Sequence, residues 1–60
     1  MIRVKYVSGE IEYFQGNNYR YCSEENVFEI VTGNHKVFIP VSQVRSIGCG
    51  TMVGEEFKYD

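Results

Sequence analysis

The chain has 60 residues, a formal net charge of −2 and an apolar share of 43%. A chain of this length buries only about 60% of the surface that it exposes when unfolded, so we expect one small domain of modest stability or one helped by self-association. Its apolar residues include no Leu, Ala or Trp and are mainly Val, Ile, Tyr and Phe, which favour strands over helices. Composition therefore predicts an all-β chain.

The charge is unevenly distributed. Residues 1–49 carry five acidic and five basic side chains, whereas residues 50–60 carry three acidic and one basic side chain, which accounts for the whole −2. A neutral body with an acidic tail lacks the basic footprint of most nucleic-acid binders, so nucleic acid is disfavoured as a partner.

No apolar run approaches the roughly 18 residues of a membrane span, and Met1 leads directly into an alternating strand rather than a signal peptide. We therefore expect a cytoplasmic protein that makes no membrane contact. In that compartment Cys22 and Cys49 are expected to be reduced and to serve as small apolar strand residues. A disulfide or half of a metal site is the alternative, but no CxxC spacing or second ligand pair supports it.

Alternating apolar residues predict a first strand over residues 2–7, with Ser8-Gly9 as the following turn. A two-residue loop at this turn pairs Val4 with Tyr13 and Lys5 with Glu12 across a hairpin. Ser-Gly is a weaker hairpin turn than Asn-Gly, so a wider loop is the alternative.

The second predicted strand, residues 10–15, ends at the turn cluster Gly16-Asn17-Asn18, and the third covers residues 19–22. A four-residue loop over 23–26 then pairs Arg20 with Glu29 and Tyr19 with Ile30. This register places Tyr19 and Tyr21 on the core side and leaves Phe14 facing outwards.

Residues 27–32 form the next strand, and Gly33-Asn34 suits a type II′ turn. The resulting register pairs Ile30 with Val37 and Glu29 with Phe38. The core face that it predicts consists of Phe28, Ile30, Val37 and Ile39.

Pro40 ends this hairpin because proline cannot donate to a sheet ladder. Residues 41–44 suit a single 3₁₀ turn, and a closing strand over residues 45–49 points Val44 and Ile47 inwards. Residues 50–60 contain two glycines and no clean period. We expect them to form an acidic, loosely ordered tail or an extra edge strand beyond a domain of residues 1–49.

The pattern Val37-Phe38-Ile39-Pro40, followed by Val44 and Ile47, resembles the ending of SH3-like and Sm-like small barrels in short bacterial and phage-encoded proteins. The resemblance covers residues 1–49 and implies a single five-stranded antiparallel barrel or strongly bent sheet, with a short 3₁₀ turn before the last strand. The N-terminal helix and basic loop of Sm-like RNA binders are absent, as is the ALYDY-like pattern of peptide-binding SH3 domains.

No set of residues predicts catalysis. His35 is the only histidine and stands beside a tight turn, where a solvated role is expected. Glu24-Glu25 and Glu55-Glu56 are adjacent pairs whose side chains point to opposite faces of a strand. The sequence therefore predicts a non-enzyme without a metal or cofactor.

The surplus of aromatic residues is the main functional signal, because nine of the 60 residues are Tyr or Phe. The predicted registers leave an apolar outward face that would suit a protein partner, most simply a second copy of the chain. The residues proposed for this interface are Phe14, Val27, Val31 and Phe38. The alternative is that strand curvature buries them, or that the tail covers them with Phe57 or Tyr59.

A phage-encoded inhibitor of a host or defence protein is a variant of this hypothesis that the resemblance suggests. The second hypothesis, of another class, is nucleic-acid or nucleotide binding, in which tyrosines stack on bases and arginines contact phosphates. The residues proposed for it are Tyr13, Tyr19, Arg20, Tyr21 and Arg45, with Arg3 as a further cation.

Overall fold

The computed structural model describes residues 1–16 and 18–60. Within these residues the chain forms seven strands and one 3₁₀ turn, η1. In chain order they are β1 (Ile2–Tyr6), β2 (Ile11–Phe14), β3 (Tyr19–Cys22), β4 (Val27–Thr32), β5 (His35–Pro40), η1 (Val41–Gln43), β6 (Val44–Val53) and β7 (Glu56–Tyr59). The all-β prediction is confirmed. Asn17, in the predicted turn cluster between β2 and β3, lies outside the described residues.

The strands form two antiparallel sheets, one of four strands in the order β2-β1-β6-β7 and one of three in the order β3-β4-β5. The resemblance implied five strands, which was too low: six strands begin within residues 1–49, and the chain beyond residue 49 extends β6 to Val53 and adds β7. Among the described residues, the two sheets are open and no ladder closes them into a barrel.

The core lies between the two sheets. Ile2 and Val4 from β1 meet Ile30 from β4 and Ile39 from β5, and these four are the buried apolar residues of the described chain. The partly buried residues packed against them are Tyr6, Phe14, Tyr19, Val37, Val44, Ile47 and Cys49. Each sheet therefore has an inner face towards this core and an outer face away from it.

The three-stranded sheet has the predicted registers. Arg20 lies opposite Glu29, which lies opposite Phe38. The turn at Gly33 has a φ of 60°, as a type II′ turn requires at its first central position. Because these loops have the assumed lengths, the predicted core positions Ile30 and Ile39 are confirmed.

The first hairpin has a different register from the prediction. Val4 pairs with Glu12 rather than with Tyr13, and Arg3 pairs with Tyr13. The loop has three residues, since the backbone N–H of Tyr6 donates to the carbonyl of Glu10 at 2.9 Å and Gly9 takes a φ of 97°. A one-residue slip moves every side chain of β2 to the other face.

The 3₁₀ turn η1 connects β5 of the three-stranded sheet to β6 of the four-stranded sheet, which confirms the predicted turn. The backbone N–H of Val41 donates to Asn26 at 3.1 Å, and that of Val7 donates to Gln43 at 2.9 Å. β6 then pairs with β1 on one side and with β7 on the other. Val44 and Ile47 pack against the core, as predicted.

Candidate functional site

The outer face of the three-stranded sheet carries the predicted interface and is called the Phe38 face. The ladder places on it Arg20, Val27, Glu29, Val31, Lys36 and Phe38. Phe38 is 57% exposed and Val31 is 41% exposed, whereas Val27 is half-buried. An aromatic ring exposed to this extent at mid-strand, beside two valines, is a surface that a partner could bury.

An ion pair lies in the middle of the Phe38 face. Nη2 and Nε of Arg20 donate to the two carboxylate oxygens of Glu29 at 3.2 and 3.3 Å. The Glu29 side chain is only 10% exposed, while that of Arg20 is largely exposed. The hydrogen bonds from Arg20 hold the pKa of Glu29 below its ordinary value against the opposing effect of desolvation. The same bonds raise the pKa of Arg20, so this pair is charged at neutral pH.

Phe14 does not belong to this face, which corrects the sequence prediction. The three-residue loop of the first hairpin turns Phe14 inwards opposite Ile2, where it packs against the core. The C-terminal residues do not cover the Phe38 face either. Phe57 and Tyr59 belong to β7, which is hydrogen-bonded into the other sheet. The predicted alternative, in which the tail covers Phe38, is therefore wrong.

The outer face of the four-stranded sheet carries a second cluster, which we call the aromatic face. Its residues are Arg3, Lys5, Ile11, Tyr13, Phe57 and Tyr59. The Phe57 ring centroid is 5.9 Å from that of Tyr13 and 4.9 Å from that of Tyr59, so three rings form a row across the sheet. The guanidinium carbon of Arg3 lies 5.9 Å from the centroids of both Phe57 and Tyr59.

Hydrogen bonding fixes Arg3 within this cluster. Its Nη1 donates to the hydroxyl of Tyr59 at 2.6 Å. That bond is the main reason that the pKa of Arg3 is raised further above its already high ordinary value. The cation is therefore permanent and is held among the rings.

Two glycines of β6 allow the Phe57 and Tyr59 rings to pack closely against the sheet. A Cβ at Gly48 would lie 2.6 Å from Cε1 of Tyr59, and one at Gly50 would lie 2.8 Å from the ring of Phe57. Any larger residue at these positions would push the rings away. The glycines and the aromatics both recur every second residue, which is the sequence signal for this contact and was missed.

The residues proposed for nucleic-acid binding do not form one site. Tyr13 lies on the aromatic face, Arg20 on the Phe38 face, and Tyr19 on the inner side, where its hydroxyl donates to the carbonyl of Ile47 at 3.5 Å. Tyr21 is exposed at the end of β3 and donates to Asn26. Arg45 is an exposed residue of β6, at the point where the register of pairing between β6 and β1 shifts. The proposed set is thus spread over both sheets.

The loop after β1 borders a shallow depression. It is lined by Tyr6, Val7, Ser8, Glu10, Ile11, Glu12 and Gln43. The Tyr6 hydroxyl donates to Oε1 of Glu12, and burial together with this bond raises the pKa of Tyr6 to about 12. A protonated phenol beside carboxylates offers no nucleophile at neutral pH.

Metal-ligating side chains do not cluster. Across residues 1–16 and 18–60, no group of three or more His, Cys, Asp or Glu residues is placed to hold a metal ion. Cys22 lies on the outer side of β3 near Phe38, whereas Cys49 packs against the core from β6.

The described part of the chain contains no helix long and apolar enough to cross a membrane.

In comparisons with known proteins, the chain matches no family model, no curated protein and no solved structure.

Proposed function

We propose that the protein is a small binding module that self-associates through the Phe38 face. The observation that carries this proposal is the exposure of Phe38 at the middle of the edge strand β5, beside Val27 and Val31 of β4 and with no cover from β7. Contiguous apolar side chains around an aromatic residue and an arginine are typical of interface centres.

A second copy of the chain is the partner that best suits this face. The charges on and beside it cancel, since Arg20 and Lys36 balance Glu25 and Glu29. A neutral face lets two chains of net charge −2 approach each other without local repulsion. In a two-fold dimer both copies use the same surface, so such a face must be self-complementary in charge.

The small core gives self-association a physical advantage. The core has four buried apolar residues, and a domain with so little interior gains stability from any apolar area that a partner covers. Three strands of four, six and six residues span a face of at most about 14 by 20 Å. Two such faces bury about 560 Å² together, below the roughly 1,000 Å² of a stable dimer, so we expect weak, reversible association at high micromolar or higher concentrations.

The decisive variant is Phe38→Glu, which places a charge at the centre of the interface. We expect it to abolish self-association, because the carboxylate would be desolvated without a partner in the dimer. Sedimentation equilibrium over a wide concentration range measures the effect. The Phe38 side chain is exposed, so the variant should remain folded by circular dichroism.

Val53→Glu is the matched control. Val53 is 58% exposed, like Phe38, but lies at the end of β6 in the other sheet. It should associate as the wild type does. A wild-type chain that remains monomeric up to millimolar concentration, or a Val53→Glu variant that loses association equally, contradicts the proposal.

We also propose that the fold is an open relative of the SH3-like barrels. β1 pairs with both β2 and β6, the strands β3, β4 and β5 form consecutive hairpins, and η1 leads into β6. If β2 and β3 act as two halves of one bent strand, the order becomes β6-β1-β2/β3-β4-β5. An experimental structure in which β2 and β3 diverge, so that the sheets form a flat sandwich, would contradict this assignment.

The proposed mode of action is binding rather than catalysis. The supporting observations are that His35 is exposed beside the β4–β5 turn and that Glu24 and Glu25 are exposed in the loop before β4. Groups so exposed lack the burial that enzymes use to tune a general acid or base.

A further inference from the structure

The aromatic face combines stacking surfaces with cations that lack acidic partners. Among the described residues, the ion pairs are Arg20–Glu29 and Glu56–Lys58, and neither involves Arg3 or Lys5. Lys5 follows Arg3 by two residues on β1, so both point to the outer face. In a chain that is acidic overall, this face presents two cations without a neutralising carboxylate.

Contact with the glycines explains only part of the ring row. Phe57 is half-buried over Gly50, and its position is accounted for by the absent side chain. Tyr13 and Tyr59 remain 45% and 53% exposed; Tyr13 is the ladder partner of Arg3, and the Tyr59 ring lies 5.9 Å from the Arg3 guanidinium carbon. The hydrogen bond from Arg3 to Tyr59 holds this arrangement together, but it leaves the guanidinium charge without an acidic partner and both tyrosine rings about half exposed.

We propose that the aromatic face binds an unpaired nucleobase together with its phosphate, as presented by a single-stranded nucleic acid or a nucleotide. The base stacks on the exposed tyrosine rings, and the phosphate contacts the cations of β1. Stacking on aromatic side chains accepts any base, and a neighbouring arginine strengthens it. The site differs from the set predicted by sequence, of which it retains only Tyr13 and Arg3.

This site is independent of the Phe38 face. The two outer faces lie on opposite sides of the shared core, so a dimer formed through the Phe38 face would leave both aromatic faces exposed. Failure of self-association therefore does not affect this proposal, and failure of nucleotide binding does not affect the other.

The test uses the full chain and a fluorescent single-stranded oligonucleotide of about eight nucleotides at low salt. We expect a dissociation constant of about 1–100 µM, with amide shifts in a heteronuclear correlation spectrum confined to β1, β2 and β7. Raising the salt from about 50 to about 200 mM should weaken binding about sevenfold if two phosphates are contacted.

Two pairs of variants locate the site. Tyr13→Ala should weaken binding about 5- to 100-fold, whereas Tyr21→Ala, which removes a slightly more exposed tyrosine of the other sheet, should not. Arg3→Gln should halve the salt slope, to about a threefold loss over the same range, whereas Arg45→Gln should leave it at about sevenfold. If Arg3→Gln disturbs the fold, Arg3→Lys tests whether a cation alone restores binding.

Two further ligands, a mononucleotide and a duplex, identify the source of the base and test whether it stacks. Binding of the oligonucleotide but not of a mononucleotide assigns the face to single strands, and equal binding per base assigns it to nucleotides. No shift with either at low salt overturns the proposal. So does equal affinity for a duplex, in which the bases are not free to stack, or equal loss in Tyr13→Ala and Tyr21→Ala.

Discussion

The two outer faces of this small domain are built on different principles. On the aromatic face, glycines of β6 leave space that the rings of β7 fill, and a cation is held among the rings. On the Phe38 face, the charges are already paired and the aromatic side chain stands free. The aromatic face thus combines cations that have no acidic partner with rings that pack against each other. The Phe38 face combines an ion pair with an apolar surface that no other part of the chain covers.

This difference indicates what each face can accept. A surface with paired charges and an exposed ring gains most from another apolar surface, because no charge has to be desolvated without a partner. A surface with unpartnered cations and exposed ring faces gains most from an anion that also stacks. The faces therefore suit different partners, although they share one core of four residues.

Among single substitutions, Gly50→Ala should have the largest effect on the aromatic face. The added Cβ would lie 2.1 Å from the carbonyl oxygen of Lys58 and 2.8 Å from the Phe57 ring. We expect β7 to detach and the free energy of unfolding to fall by about 1–3 kcal/mol, as overpacking typically causes. Urea denaturation measures the loss, and amide exchange should locate it to β7.

Gly33→Ala is the matched control on the other sheet. Gly33 has a φ of 60° and no atoms within 4 Å of an added Cβ, so the variant acquires backbone strain without a steric clash. It should leave the exchange protection of β7 unchanged. Loss of β7 protection in both variants would mean that the ring row does not depend on the glycines beneath it.

The same two sheets differ in how far sequence predicts them. For the three-stranded sheet, the loop at 23–26 and the turn at Gly33-Asn34 had the lengths that were assumed, and every pairing followed, including Arg20 with Glu29. A register depends only on loop length and on which side chains segregate. The Phe38 face could therefore be predicted, apart from Phe14.

The four-stranded sheet was less predictable for two physical reasons. Ser8-Gly9 is compatible with a loop of two or three residues. The prediction assumed two residues and therefore placed Phe14 on the outer face and Tyr13 on the core side, whereas the three-residue loop gives the reverse. The aromatic face also depends on a contact between β6 and β7, where glycines weaken the strand pattern on which prediction relies. The sequence shows the alternation of Phe57 and Tyr59. It does not show what these rings pack against, because they occupy the space left by the missing side chains of Gly48 and Gly50.

Acid should affect the Phe38 face selectively. Because hydrogen bonds from Arg20 lower the pKa of Glu29 in the folded chain, this interaction stabilises the fold fully above the ordinary value of 4.5. Its contribution is lost as the pH falls from there through the lower folded pKa. In Glu29→Gln the stability at neutral pH should be reduced and its loss in acid should be smaller.

Urea denaturation at about pH 7 and about pH 3 measures this effect. Glu24→Gln is the control, because Glu24 is exposed in the loop before β4 and should leave the acid dependence of the wild type unchanged. If Glu29→Gln and the wild type lose stability in parallel, the ion pair does not contribute to the pH dependence of the fold.

Alkaline titration offers a smaller effect that belongs to neither outer face. Tyr6 points to the inner side of β1, where burial and its bond to Glu12 raise its pKa from 10.0 to about 12. The folded chain then holds a proton that the unfolded chain releases, so stability should fall as the pH rises from about 10 to about 12. Tyrosinate absorbance should show one phenol titrating near the upper end of this range.

That phenol should disappear in Tyr6→Phe and persist in Gly50→Ala, because detachment of β7 alters the outer face of the sheet and leaves the inner side of β1 intact. Its loss in Gly50→Ala would mean that the aromatic face and the core unfold as one unit, and that the two outer faces are not independent.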